Sequence, residues 1–168
     1  GRLARGLRAA GLFLLRVPWP LAMTLVVAWG FLIWDLSAHS IPLPEQPSLF
    51  LQFVSNLAHA PLFGILTLFL AGALLRQREG GWPRERPWRY ALVLGAVLGY
   101  GILDEWHQSH IPGRDASALD VLTDLVSASL VLWIVRTLGR AENESTLVRR
   151  LLLGVCLSLG SALLATLA

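Results

Sequence analysis

Long runs without charge restrict this chain more than any other feature. Residues 17–34 contain no Asp, Glu, Lys or Arg, and neither do residues 46–75, 90–103 and 151–168. A fifth run, 117–135, is apolar apart from Asp120 and Asp124. Crossing about 30 Å of hydrocarbon takes roughly 20 helical residues at about 1.5 Å each. The spacing therefore predicts five membrane-spanning helices, over roughly 17–37, 55–75, 89–109, 117–136 and 149–168. The fold class that follows is all-α: a polytopic membrane helix bundle forming one domain over residues 1–168. Composition agrees, with 55% hydrophobic and 15% charged residues, against roughly 25% charged in soluble domains. A disordered chain is excluded, and a soluble single-core domain would need more polar surface.

All fourteen basic residues are arginine, and thirteen fall in three clusters. These are Arg2, Arg5, Arg8 and Arg16; then Arg76, Arg78, Arg84, Arg86 and Arg89; then Arg136, Arg140, Arg149 and Arg150. Each cluster lies before or between spans on one side, and only Arg114 falls on the other. The positive-inside bias then predicts a cytoplasmic N-terminus in a bacterial inner membrane. It also accounts for the sequence pI near 10.0 without a nucleic-acid partner. Trp82, Trp88 and Tyr90 suit the inner interface, and Gly80, Gly81, Pro83 and Pro87 break the loop there. Residues 1–16 read as a basic amphipathic flank, with Leu3, Leu7 and Leu14 opposite the arginines. Residues 46–56 read as an outer interfacial segment leading into the second span.

Several weaker signals have bland readings. Arg16 and Asp35 bracket a retained span better than a signal peptide. Asn143-Glu144-Ser145 is a chance sequon on the cytoplasmic side. Gly95 and Gly99 suggest close packing inside the bundle, and Cys156 a small packing residue. A lone Cys156 makes no internal disulfide and reveals no redox compartment. His59, between Ala58 and Ala60, is read as a hydrogen-bonded bundle residue rather than a pigment ligand. His39 and His110 are read as loop residues. The absence of an internal repeat leaves little room for alternating-access transport.

The ionisable residues within the spans share a depth. Counted from the arginine side, Asp104 lies about 22 Å up, Asp120 about 24 Å, His59 about 25 Å and Asp35 about 28 Å. Asp124 is deeper in the hydrocarbon, about 18 Å from the arginine side. Angle adds to depth: Ser117, Asp120, Asp124 and Ser127 follow one helix face, as do Tyr100, Asp104, His107 and Gln108. Charge facing lipid costs at least a few kcal/mol, so these stripes belong inside the bundle or against water. Pro61 cannot donate to the Leu57 carbonyl, which predicts a kink beside His59. Pro112-Gly113 signals a turn that delivers Arg114 above the acids, and Ser117 is placed to cap the next helix.

These residues carry a resemblance. Asp104-Glu105-Trp106-His107-Gln108, then Pro112-Gly113-Arg114, Ser117 and Asp120-Val121-Leu122-Thr123-Asp124 resemble the signature of the VanZ-like family. Its pattern is D-E-x-H-Q, then P-G-R, S, and D-x-x-x-N/D. Members are small bacterial membrane proteins named after a factor in resistance to the glycopeptide antibiotic teicoplanin. The polar end of the first span, Asp35 to Ser37, and His59 on the second are similar to family features. The likeness covers roughly residues 30–130. Members usually carry glycine after the final N/D, where Ser127 stands here.

Five acids against Arg114 leave a net negative cluster, untenable in low dielectric. Protonated acids, a cationic His59 or His107, or a bound divalent metal would each relieve it. The spacing matches no strong metal motif and names no cofactor. Two functions fit. In the first, the outer-leaflet site binds or modifies an anionic cell-envelope lipid or a related intermediate, the substrate class to which the resemblance points. Asp104, Glu105 and His107 then do acid–base chemistry, while Arg114 grips the anion. Gln108, Asp120, Asp124, His59 and Asp35 complete the substrate contacts. In the second, the cluster is a structural lock in a non-catalytic accessory subunit, whose partners are other membrane protein subunits.

Overall fold

The structure, a computed structural model, describes residues 1–39, 48–76, 82–83, 86–112, 114, 116–140 and 143–167. Among them are six helices and no strand: α1 (Arg2–Arg16), α2 (Trp19–Ala38), α3 (Leu49–Leu74), α4 (Pro87–Gln108), α5 (Ala118–Gly139) and α6 (Glu144–Leu167). Gly80, Gly81, Gly113 and the start of the expected outer segment lie outside the described residues.

Local chemistry sets the boundaries. The residue before a proline disfavours helical backbone, and α1 stops just short of Val17-Pro18. Proline is tolerated in a first turn, where its missing N–H has no partner to lose. Accordingly Pro20 and Pro87 stand at the starts of α2 and α4. Ser48 caps α3, accepting from the Leu51 N–H at 3.3 Å, and Ser117 caps α5, accepting from the Leu119 N–H at 3.2 Å. Ser48 thereby extends α3 over residues 49–54, which the sequence suggested as a separate interfacial segment.

Helices α2, α3, α5 and α6 are each long and apolar enough to cross a membrane. Helix α4 has the length, at 22 residues, but Asp104, Glu105 and the basic Arg89 lower its hydropathy. The long helices alternate in direction. Thus Arg114, following α4, reaches the end of α2 at Leu36 and His39, while Arg89 at the start of α4 reaches the Arg76 carbonyl after α3. Helix α3 packs against all five others, and α5 against α1, α3, α4 and α6. Ile33, Phe63, Leu66, Val93, Val97 and Ala128 lie at the centre of the core. Half of the α3 span is buried, against 17% of the α2 and α6 spans. The apolar residues of α2 and α6 point largely outwards, among them Phe31, Leu152, Val155 and Leu164. That is the surface a bundle surrounded by hydrocarbon needs.

Helix α1 is the expected separate helix, but it packs across α3, α5 and α6. Its Leu15 is buried, whereas Leu3 and Phe13 are exposed. The backbone of α1 passes close to α3, for a β-carbon at Gly72 would stand 3.5 Å from the Leu14 carbonyl oxygen. Trp82 packs against Gly11 of α1 and Gly139 of α5, with the Arg8 guanidinium 5.9 Å from its ring centre.

Two packing expectations need correction. Gly95 and Gly99 face outwards, and a β-carbon at either would meet nothing within 4 Å. Close helix approach is instead made at Gly64 and Gly101. Cys156 is exposed on α6, while the packed small residues there are Gly154, Ser161 and Ala162. Both corrections share a cause. In a helix apolar all round, spacing alone does not say which small residues turn inwards.

Candidate functional site

Four carboxyl groups and one imidazole come together where α3, α4 and α5 meet, near the C-terminal end of α4. Asp104, Glu105, Asp120 and Asp124 are all buried, with Asp104 at 1% exposure and Asp124 at 0%. His59 reaches them from α3. The ring nitrogen Nδ1 lies 3.2 Å from Asp124 Oδ1 on α5. Asp120 and Glu105 also lie within electrostatic reach of the ring. One ligand-capable atom from each of His59, Asp104 and Glu105 fits within a span of 4.8 Å.

The surrounding hydrogen bonds explain why the helices hold these groups inside. Ser37 at the end of α2 donates its hydroxyl to Asp104 Oδ1 at 2.5 Å. Gln108, one turn beyond Asp104, donates through Nε2 to Asp104 Oδ2 at 2.9 Å and to Glu105 Oε1 at 3.5 Å. The main-chain N–H of Ser117, freed by the start of α5, donates to Glu105 Oε2 at 2.7 Å. Burying an ionised group without such partners costs several kcal/mol. Two buried oxygens of the cluster have no such partner among the described residues: Asp120 Oδ1 and Asp124 Oδ2.

Pro61 lies inside the continuous helix α3, two residues from His59. The carbonyls on either side of it take donors from other helices. Ser127 Oγ donates to the Ala60 carbonyl at 2.5 Å, and Trp29 Nε1 to the Leu62 carbonyl at 2.8 Å. Ser127 thus sits directly against the backbone of α3. Gly64 on α3 supplies the space, since its β-carbon would stand 3.4 Å from Ser127 Oγ.

Other residues expected at the site are placed elsewhere. Asp35 is 71% exposed, with Oδ1 3.7 Å from Nδ1 of His39. Its side chain is directed outward, while Ser37 two positions on turns inward. Arg114 does not face the acids. Its Nη2 donates to the carbonyls of Leu36 at 3.1 Å and His39 at 2.9 Å, serving the C-terminal end of α2, where a cation is favoured. His107 stacks on Trp34 of α2, with ring centres 3.8 Å apart and planes 14° from parallel. Its Nε2 is buried, with no hydrogen-bond partner among the described residues. Tyr100 donates to the Gly30 carbonyl at 2.5 Å rather than to an acid. His110 lies exposed against the Trp106 carbonyl, as a loop histidine should.

Three participants lay outside the sequence reading of the site. Ser37 stands out in the sequence only as part of the polar end of the first span. Trp34 carried no polar signal. Gly101 matters because a β-carbon there would stand 2.9 Å from Asp124 Oδ2. The available clue was its spacing of three and four residues before Asp104 and Glu105, which places it on their face.

Beside the polar cluster, an apolar groove of about 430 Å³ runs between α2, α3 and α4, lined by residues including Val26, Gly30, Trp34, Leu66, Leu70 and Tyr100. Val27 and Phe31 line it too and are 51% and 71% exposed, so the groove opens to the outside of the bundle. Three aromatic contacts run from the groove towards the site. Trp34 carries His107, and Tyr100 leans on Phe63, whose ring stacks on His59 with centres 5.9 Å apart.

Compared with known proteins, the chain matches no family model, no curated protein and no solved structure. The class defined by fold and hydropathy is that of a helical protein with several apolar helices suited to a membrane.

Proposed function

We propose that this chain is a VanZ-like protein of the bacterial cytoplasmic membrane with five spans, α2 to α6, and a cytoplasmic N-terminus. Its acid–histidine cluster then lies towards the outer leaflet and engages the polar part of a cell-envelope lipid or lipid-linked intermediate. The acyl chain of that lipid occupies the groove beside Trp34 and Tyr100. One observation carries this reading: a buried polar cluster with two unpartnered carboxylate oxygens adjoins an apolar groove that opens sideways. Pockets for amphiphiles combine a mostly apolar lining with a few convergent polar groups. Counting α4 as a span follows from its 22 residues and from its burial of Asp104 and Glu105 inside the bundle. The acid–base work falls to Asp104, Glu105 and His59, the groups that share the cluster.

The test uses the full chain in nanodiscs containing a phospholipid with a photoactivatable acyl chain. Crosslinks are expected at groove residues. Val27→Trp, which fills the groove from its rim, should reduce them several-fold without unfolding the protein. Reporter fusions after residues 114 and 140 should fall on opposite sides of the membrane. Expression in a susceptible bacterium should shift glycopeptide susceptibility, and Glu105→Gln should abolish the shift. Unchanged crosslinking in Val27→Trp removes the lipid reading.

A second reading has its own observation. Ser37–Asp104 ties α2 to α4, and His59–Asp124 ties α3 to α5, as a structural lock in an accessory subunit would. Purification from native membranes in stoichiometric complex with other subunits, with no lipid in the groove, would favour it.

A further inference from the structure

We propose that His59, Asp104 and Glu105 form a divalent transition-metal site, with Asp120 as a fourth ligand and Asp124 as the support of the imidazole. The proposal rests on the lipid reading above only for its use: a cation there would let an anionic headgroup approach a site rich in carboxylates. The site itself stands on geometry.

Two ligands on opposite sides of a first-row metal are roughly 4.2 Å apart, since metal–nitrogen and metal–oxygen distances are each about 2.1 Å. The three candidate atoms already lie within 4.8 Å of one another, so small rotations bring them to a shared centre. A ligating histidine normally gives its other ring nitrogen to a carboxylate, which fixes its orientation. The Asp124–His59 contact at 3.2 Å supplies that support.

The hydrogen bonds around the acids are of the same kind. Ser37, Gln108 and the Ser117 N–H all donate to Asp104 or Glu105. Each carboxylate oxygen has a second lone pair, so these donors orient the acids and leave capacity for an ion. An independent sign is the unpartnered oxygen on the buried Asp120, which is only 7% exposed. Asp120 lies within electrostatic reach of both His59 and Asp104. A mixed set of carboxylates and one imidazole, without thiolate, suits ions such as Mn²⁺ and Zn²⁺.

The experiment titrates MnCl₂ into the chelator-stripped full chain in nanodiscs, followed by calorimetry and by electron spin echo spectroscopy. One Mn²⁺ per chain is expected, with a nitrogen modulation from the imidazole. Glu105→Gln and Asp104→Asn should each weaken binding by at least about tenfold. His59→Gln should erase the nitrogen modulation even where an ion still binds. Asp35→Asn, which removes an outward carboxylate, should bind as the parent does. Helicity and thermal unfolding of each variant establish that it is folded. Failure of the folded parent to bind Mn²⁺ or Zn²⁺ overturns the proposal, as does binding that survives both Glu105→Gln and His59→Gln. If metal binding fails while acyl crosslinks persist in the groove, only this inference falls. If the metal binds and the crosslinks are absent, the lipid reading falls and the metal site stands.

Discussion

Helix α4 carries three glycines, Gly95, Gly99 and Gly101, in which one substitution should have opposite effects. Replacing glycine by alanine inside a helix gains roughly 0.5–1 kcal/mol in backbone entropy when nothing obstructs the new methyl. Gly95 and Gly99 meet that condition, since a β-carbon at either finds nothing within 4 Å. At Gly101 the β-carbon would stand 2.9 Å from Asp124 Oδ2, about half an ångström inside ordinary contact. The carboxylate has little freedom to yield: Asp124 is fully buried, and its other oxygen is held by His59. Phe63 and the β-carbon of Asp124 are also within 3.8 Å of the new methyl. Overpacking of this kind costs roughly 1–3 kcal/mol. Set against the entropy gain, Gly101→Ala should destabilise by about 1 kcal/mol, and Gly99→Ala should be neutral or slightly stabilising. For a chain of this size 1 kcal/mol corresponds to roughly 2–4 °C in Tm. Thermal unfolding of the three variants in one detergent, followed by circular dichroism, reads the difference directly. Equal Tm values for Gly101→Ala and Gly99→Ala would refute the placement of Asp124 against α4.

Three further substitutions probe the polar contacts. Ser37→Ala removes the donor to Asp104, and interhelical hydrogen bonds in membranes average about 0.6 kcal/mol with a maximum near 1.7. A loss in that range, measured by reversible unfolding in detergent, is expected. Arg114→Ala frees the last carbonyls of α2 and should cost about 1 kcal/mol. Protease cleavage near residue 39 should accelerate, while Mn²⁺ affinity stays within a factor of two; a tenfold fall in affinity would show that the guanidinium acts on the cluster. Asp35→Asn alters an exposed group and should shift stability by less than about 0.5 kcal/mol, as checked in the same unfolding assay.

The sequence made depth legible and direction much less so. Rise per residue is fixed, so counting from the arginines placed His59, Asp104, Asp120 and Asp124 at levels from which the helices bring them together. Direction normally comes from the contrast between an apolar inner face and a polar outer face. That contrast fades where the surroundings are as apolar as the core. Asp35 and Gly99 consequently read as inward and are outward, while Ser37, singled out only as part of the polar end of the first span, and Gly101 are inside. The paired acids on α5 were placed correctly because Asp120 and Asp124 share a face with Ser117 and Ser127, giving a stripe long enough to define an angle. Arg114 went astray for a different reason. A long flexible side chain on a loop can reach either the acids or the end of a neighbouring helix, and the carbonyls of Leu36 and His39 lay within its range.

The attachment of α2 also bears on biosynthesis. Three of its ties are long in sequence: Trp29 to Leu62 spans 33 positions, Ser37 to Asp104 spans 67, and Gly30 to Tyr100 spans 70. As the ribosome extends the chain, α2 enters the bilayer long before α4 exists. During that interval Trp29 can already reach Leu62 of α3, but the Ser37 hydroxyl and the Gly30 carbonyl have no partner from α4. Completion of the α2 attachment is therefore scheduled by the emergence of α4, and a translational pause ahead of residue 100 would prolong the stage in which α2 is held by α3 alone.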